Sequence, residues 1–200
     1  MPTTTRGYTY PASSDAANIP TTLQTLATNI DTDVAKVAGY YATLTTDRTL
    51  ANVNTVQSIF GVSFTSLATT SYEVEMAIAV STTGATSNSL GLSWGGTATL
   101  TSVGYQASVS QNATSLATLS APNSLFVATA ANTTVTAAVA TATYRIILVN
   151  GIIRVNGAGT VIPQLTYSAA PGVAPIVSAN SYIRLTPIGT NVVTNVGSWA

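Results

Sequence analysis

Residues Tyr144–Gly157 read YRIILVNGIIRVNG, two β-branched runs either side of Asn150-Gly151. An Asn-Gly step between such runs is the pattern of a two-residue type I′ hairpin, whose central residues both take positive φ. That turn would pair Val149 with Ile152, Leu148 with Ile153, Ile147 with Arg154 and Ile146 with Val155. One face would then carry Ile146, Leu148, Ile153 and Val155, the expected core. The other would carry Arg145, Ile147, Val149, Ile152 and Arg154. Both faces are apolar, so both are expected to be covered, one by a partner sheet and the other by a neighbouring subunit.

Working outward, period-two alternation recurs. Tyr72, Val74, Met76, Ile78 and Val80 alternate with Glu73, Glu75, Ala77 and Ala79, which is the pattern of a half-buried strand. Phe60, Val62 and Phe64 alternate too, as do Leu90, Leu92 and Trp94, and Val103, Tyr105, Ala107 and Val109. Further strands are expected at 162–168 and 181–186. Gly157, Gly159, Pro163, Pro171, Gly172, Pro175, Pro187 and Gly189 punctuate them. Many short strands so punctuated predict a mainly β chain: an antiparallel, jelly-roll-like β-sandwich over 59–189. Residues 110–143 are rich in Ala, Thr and Ser and read as one or two strands with long loops.

Ahead of the β pattern the period changes. Leu23, Leu26, Ile30, Val34 and Val37 recur at spacings of three and four, one face of a helix over 18–39. Asn18 is placed to cap it, Pro20 falls in its first turn and Gly39 offers a stop. A helix of this length is marginal alone, so its stripe is expected to be covered by the β domain or by identical chains in a short trimeric neck. Residues 1–17, with Pro2 and Pro11, read as an extended docking arm carrying Tyr8, Tyr10 and Pro11. Residues 40–58 read as a connector and 190–200 as a C-terminal extension.

Composition bounds the function. Among the 200 residues 46% are hydrophobic and only 6% charged, against about 25% charged in ordinary soluble domains. So little charge suits a chain covered by other subunits. The six basic residues, Arg6, Lys36, Arg48, Arg145, Arg154 and Arg184, are scattered and net charge is zero. No cluster exists to neutralise phosphates or to hold an anionic membrane. There is no Cys and no His, which excludes disulfides and metal sites built from those ligands. No apolar segment approaches the length of a membrane span, and residues 1–15 lack the apolar core of a signal peptide. Assembly in a cytoplasm is expected, with no cofactor.

Catalytic patterns are few. Gly91-Leu-Ser-Trp-Gly95 matches G-x-S-x-G, but a nucleophile elbow needs a following helix and a base, and the chain has no His. Glu73 and Glu75 sit about 7 Å apart along one strand face, a spacing open to glycoside hydrolysis. The alternative, that Glu73 and Glu75 form structural ion pairs with Arg145, Arg154 or Arg184, is favoured because half-buried charges need partners. Asp31 and Asp33 offer too few oxygens for calcium. The chain reads as non-enzymatic.

Two stretches carry a resemblance. RGYTYPASSDAANIPTTLQTLATNIDTDVA (6–35) resembles the opening of tail and appendage proteins of tailed phages: a G-x-x-Y-P arm, then a short L-x-x-L-A-x-x-I-D helix. IFGVSFTSLATTSYEVEMAIAVSTTGATSNSLGLSW (59–94), YRIILVNGIIRVNGAGTVIPQLTYSAAP (144–171) and SANSYIRLTPIG (178–189) are similar in order to the β-rich C-terminal domain of phage minor structural proteins. The resemblance implies a homotrimeric virion protein with the helix as neck and the β domain as head. Its partners would be itself and other virion proteins (capsid, portal, tail or fibre), in roles such as capsid decoration, tail fibre or minor tail protein. No catalytic residues carry over. The alternative is a receptor-binding tip recognising a host surface glycan or protein through Thr/Ser/Asn-rich loops at 81–89 and 110–134.

Overall fold

The apolar periodicities organise the described residues into one helix and two antiparallel sheets. The structure is a computed structural model that describes residues 19–111, 123–127, 133–136 and 143–191. The chain divides into two compact units, Met1–Ala38 and Gly39–Ala200.

In the first unit, α1 spans Ile19–Val37, close to the expected 18–39. The hydroxyls of Thr25 and Thr28 donate back to the carbonyls of Thr21 and Gln24, each at 2.9 Å. Such bonds hide the hydroxyls' polarity along a threonine-rich helix. The N–H of Ala38, the last residue of this unit, still reaches the Val34 carbonyl at 2.8 Å.

The second unit holds β1 (Tyr40–Thr43), β2 (Arg48–Thr49), β3 (Gln57–Ser58), β4 (Phe64–Ser66), β5 (Thr70–Thr82), β6 (Leu90–Gly95) and β7 (Thr99–Gln111). It continues with β8 (Asn123–Val127), β9 (Thr133–Thr134), β10 (Thr143–Gly157), β11 (Gly159–Tyr167), β12 (Ile176–Val177) and β13 (Tyr182–Thr190). The large sheet runs β1-β13-β5-β10-β7-β8, with β12 and β2 continuing from the far end of β5; the smaller runs β3-β11-β6-β9, with β4 also on β11. β5 pairs with β13, β6 with β11 and β7 with β10. Nested pairs of this kind are what rolling up one long antiparallel hairpin produces, the logic of a jelly roll. The fold is an antiparallel β-sandwich, as expected.

The core lies between the sheets. Tyr72, Val74, Met76, Ile78 and Val80 from β5 and Val103, Tyr105, Ala107 and Val109 from β7 are buried, facing Leu90, Leu92 and Trp94 from β6 and Val161 and Leu165 from β11. Trp94 meets Tyr105 edge-on at 6.5 Å, joining the two sheets. Phe64 packs against Tyr72 at 5.6 Å and Tyr40 at 5.3 Å.

The largest departure from expectation is at Asn150-Gly151. No hairpin forms there. β10 runs unbroken from Thr143 to Gly157, with β5 on one side and β7 on the other along its length. Continuity preserves alternation through residues 150 and 151, so Arg145, Ile147, Val149, Ile153 and Val155 point into the core. Ile153 and Val155 are core, as anticipated. Ile146 and Leu148 are not; they lie on the outer face with Ile152 and Arg154, and Arg145 has changed sides. Tertiary pairing outweighs turn propensity here, because two long neighbours satisfy every rung that a turn would have broken.

Two boundaries also move. Residues 40–58, expected as a connector, carry β1, β2 and β3 and belong to the β unit from Gly39 onward. β13 extends to Thr190; residues 192–200, most of the anticipated extension, lie outside the described residues, as do Asn18 and the arm with Tyr8, Tyr10 and Pro11.

Candidate interaction surfaces

Alternation on β5, β7 and β10 leaves one face of the large sheet turned away from the core. Along its central strand Leu148 is 47% exposed, Ile152 43% and Tyr144 39%. Ile146, Ala77 and Ala79 are half-buried beside them. The apolar run on this face is Tyr144, Ile146 and Leu148, the kind of grouping that marks an interaction surface more than scattered residues do, and Ile152 stands apart from it across Asn150. Beside Ile152 the face dips into a depression of about 410 Å³ lined by Gly104, Gln106, Asn150 and Arg154 among others.

The flanks of this patch differ. On the β5–β13 side, Arg184 Nη2 donates to Glu75 Oε2 at 2.5 Å and Tyr182 donates to Glu75 Oε1 at 2.8 Å. The bond to the Glu75 carboxylate raises the Tyr182 hydroxyl above its ordinary value, because ionising it would set two anions together. Tyr41 stacks on Tyr182 at 6.2 Å. Glu73 is exposed one register step away. On the β7 side, Ser102, Gly104, Gln106 and Ser108 carry no charge.

A second apolar surface lies on α1. Leu23, Ile30 and Val34 of the anticipated stripe are exposed and Leu26 is half-buried. The side chain of Val37 lies outside the described set.

Of the five residues expected to form ion pairs, Glu75 and Arg184 do. Glu73 has no ion-pair partner among the described residues. Arg154 donates to the backbone carbonyl of Asn191. Arg145 is only 2% exposed and finds Asn88 instead: Nη1 donates to Oδ1 at 3.2 Å and Nη2 to the Asn88 carbonyl at 3.0 Å. Asn88 is itself buried and donates to the Thr86 carbonyl at 2.7 Å. The β unit's acidic side chains are Asp47, Glu73 and Glu75. Glu73 and Glu75 occupy the opposite face of the sheet, and Asp47 accepts the Ala179 N–H at 2.7 Å. Arg145 is thus a buried cation held by an amide. Burial lowers its basicity, and the neighbouring Tyr167 hydroxyl partly opposes this. Burial pushes Tyr167 up to about 12, with Arg145 holding it back. Nothing in the sequence around Asn88 or Tyr167 signalled this cluster.

The catalytic patterns do not assemble. Ser93 of the G-x-S-x-G match sits in mid-strand on β6, buried, its hydroxyl donating to Gln164 at 3.4 Å, so the elbow is not formed. Glu73 and Glu75 lie on the sheet's outer face, where Glu75 is bonded to Arg184 and Tyr182. A groove of about 490 Å³ along β1 and β4, lined by Tyr40, Phe60, Val62, Phe64 and Ile183 among others, carries no carboxylate or basic group. Among the described residues no three acidic side chains gather as a metal site, and no helix is long and apolar enough to cross a membrane.

No protein-family model matches the sequence, and comparison with curated proteins and with solved structures returns no significant match.

Proposed function

We propose that the chain is a non-enzymatic structural component of a tailed-phage particle, homotrimeric through α1, with the β-sandwich as head and the N-terminal arm as the part that docks onto capsid or tail. The observation that carries this reading is the exposure of Leu23, Ile30 and Val34 along one side of a 19-residue helix. Such a helix is marginal in water unless its stripe is covered, and apolar residues at spacings of three and four suit packing between parallel copies. The arm-and-helix motif of residues 6–35 and the strand order that follows support a virion origin. The scarcity of charge supports life within an assembly.

Sedimentation equilibrium on the purified chain tests the oligomer. The expected mass is three copies, falling to one in Ile30→Asp; a folded wild-type monomer at high concentration overturns the reading. Antibody labelling of intact particles tests the location.

Nothing described favours the receptor-binding alternative. β5 runs to Thr82 and Asn88 is committed to Arg145, while Thr83, Ala85, Thr86 and Ser87 between them are exposed. Residues 112–122 and 128–132 lie outside the described set.

A further inference from the structure

The tripeptide Val-Asn-Gly occurs twice in β10, at Val149–Gly151 and at Val155–Gly157. An asparagine followed by glycine is open to attack on its own side chain, because glycine has no Cβ to hinder its backbone nitrogen. The two copies share their immediate neighbours, so their intrinsic reactivities are closely matched. Their places in the fold decide between them.

Both asparagine side chains are exposed, and neither has a hydrogen-bond partner among the described residues. Their backbones differ. Asn150 and Gly151 lie in mid-strand, opposite Glu75 and Val74 of β5 on one side and Gln106 and Tyr105 of β7 on the other. Attack there requires the chain to leave its extended form, which breaks rungs on both sides. Asn156 lies beyond the β5 ladder, which ends with Val155 opposite Thr70. On the β7 side the register slips between Val155 and Gly157, from Leu100 to Thr99, and passes over Asn156. A residue left out of the ladder in this way turns with little of the sheet disturbed.

We propose that Asn156 is a site of spontaneous covalent modification in the folded protein, and that the sheet protects Asn150 from the same reaction. The Gly157 nitrogen, losing its proton to solvent base, bonds to Asn156 Cγ. The Cγ–Nδ2 bond breaks and ammonia leaves, closing a succinimide ring. Water then adds at one ring carbonyl and opens the ring, giving aspartate or, where the main chain now runs through Cγ, isoaspartate. The Asn156 carbonyl accepts the Thr69 N–H at 3.1 Å, and the Val155 carbonyl accepts from Asn191 Nδ2 at 3.1 Å. The Asn191 N–H in turn reaches the Thr69 carbonyl at 2.9 Å. Isoaspartate therefore lengthens the chain where the ends of β10 and β13 meet the start of β5.

Trypsin separates the two sites, since cuts after Arg145, Arg154 and Arg184 place Asn150 and Asn156 in different peptides. The full-length protein is held at mildly alkaline pH and digested at intervals. Mass spectrometry reads the loss of ammonia and uptake of water, and fragment ions distinguish Asn156 from Asn180. In the folded protein conversion at Asn156 is expected to run at least about tenfold faster than at Asn150, and in urea the two rates should agree within about twofold. Gly157→Ala should slow the reaction at Asn156 and leave that at Asn150 unchanged.

Equal rates in the folded protein overturn the proposal. So does a difference that persists in urea, or an Asn156 that converts only when the chain is unfolded. If Gly157→Ala misfolds, the folded-to-unfolded comparison of the two wild-type sites decides alone.

Discussion

Gly151 of β10 lies directly opposite Tyr105 of β7, and a Cβ on that glycine would fall 2.5 Å from the Tyr105 Cβ and 2.3 Å from the Gly104 carbonyl oxygen. Glycine stands here because two strands approach closely and a tyrosine side chain fills the space, not because a turn needs positive φ. Tyr105 in turn reaches across the core to Trp94. A glycine inside a strand often marks such a close approach.

The two readings of Asn150-Gly151 separate by mutation. Within a continuous strand, Gly151→Ala forces a methyl into occupied space and should cost about 1–3 kcal/mol. Asn150→Thr, on the exposed face, should stay within about 0.5 kcal/mol of wild type. A type I′ turn would instead make the β-branched residue at 150 costly, since it demands positive φ there. Urea unfolding of both variants reads the difference directly.

The same step shows what was legible in the sequence. Alternation on β5, β6 and β7 sorted Tyr72 through Val80, Leu90 through Trp94 and Val103 through Val109 correctly, because period two is set by strand geometry alone. At Asn150-Gly151 the local signal and the tertiary one disagreed. A residue pair common in turns is also tolerated where a neighbour's ring needs room, and only the position of β7 reveals which applies. Reading a turn there reversed the faces of residues 145–149, so Leu148 was assigned to the core and Arg145 to the outside. The Glu75–Arg184 pair was within reach of the sequence, since half-buried alternating acids ask for a cation. The Arg145–Asn88 contact was not, because 57 residues separate the partners and an amide carries no charge to announce it.

That contact makes a prediction of its own. Asn88→Ala removes the side-chain acceptor from a buried guanidinium and should destabilise the chain by about 2–3 kcal/mol, the upper range for a hydrogen bond to a charged group. Arg145→Met in the Asn88→Ala background removes the charge while keeping much of its volume, and should recover a large part of that loss. Additive losses in the double variant, measured by chemical denaturation, would show that the two residues do not act together.

The Glu75 carboxylate holds the Tyr182 hydroxyl in its neutral form. In Glu75→Gln the anion is gone, so Tyr182 should ionise at lower pH than in wild type, visible as an earlier tyrosinate band in ultraviolet absorbance. The stability cost should be under about 1 kcal/mol, because the pair is solvent-screened, with Arg184 56% exposed. An unchanged titration would mean that the Tyr182–Glu75 bond does not form in solution.

Alkaline pH should unfold the sandwich by way of its buried tyrosines. Burial pushes Tyr105 up to about 12, with partial relief from Thr133, and Tyr167 also stands at about 12; Tyr72 is raised in the same direction. An unfolded tyrosine ionises near its ordinary 10, so between about pH 10 and 12 the unfolded chain binds fewer protons than the folded one. Stability therefore falls as pH rises through that window. It is fully present below the unfolded value. Two units of displacement correspond to roughly 3 kcal/mol for each of Tyr105 and Tyr167. With no histidine in the chain, no imidazole titration intervenes between neutral pH and this limb. Urea midpoints should hold steady from neutrality to about pH 9 and then drop steeply. Tyr105→Phe combined with Tyr167→Phe should flatten the drop, because neither ring then has a proton to lose. A limb equally steep in that double variant would place the alkaline transition elsewhere in the molecule.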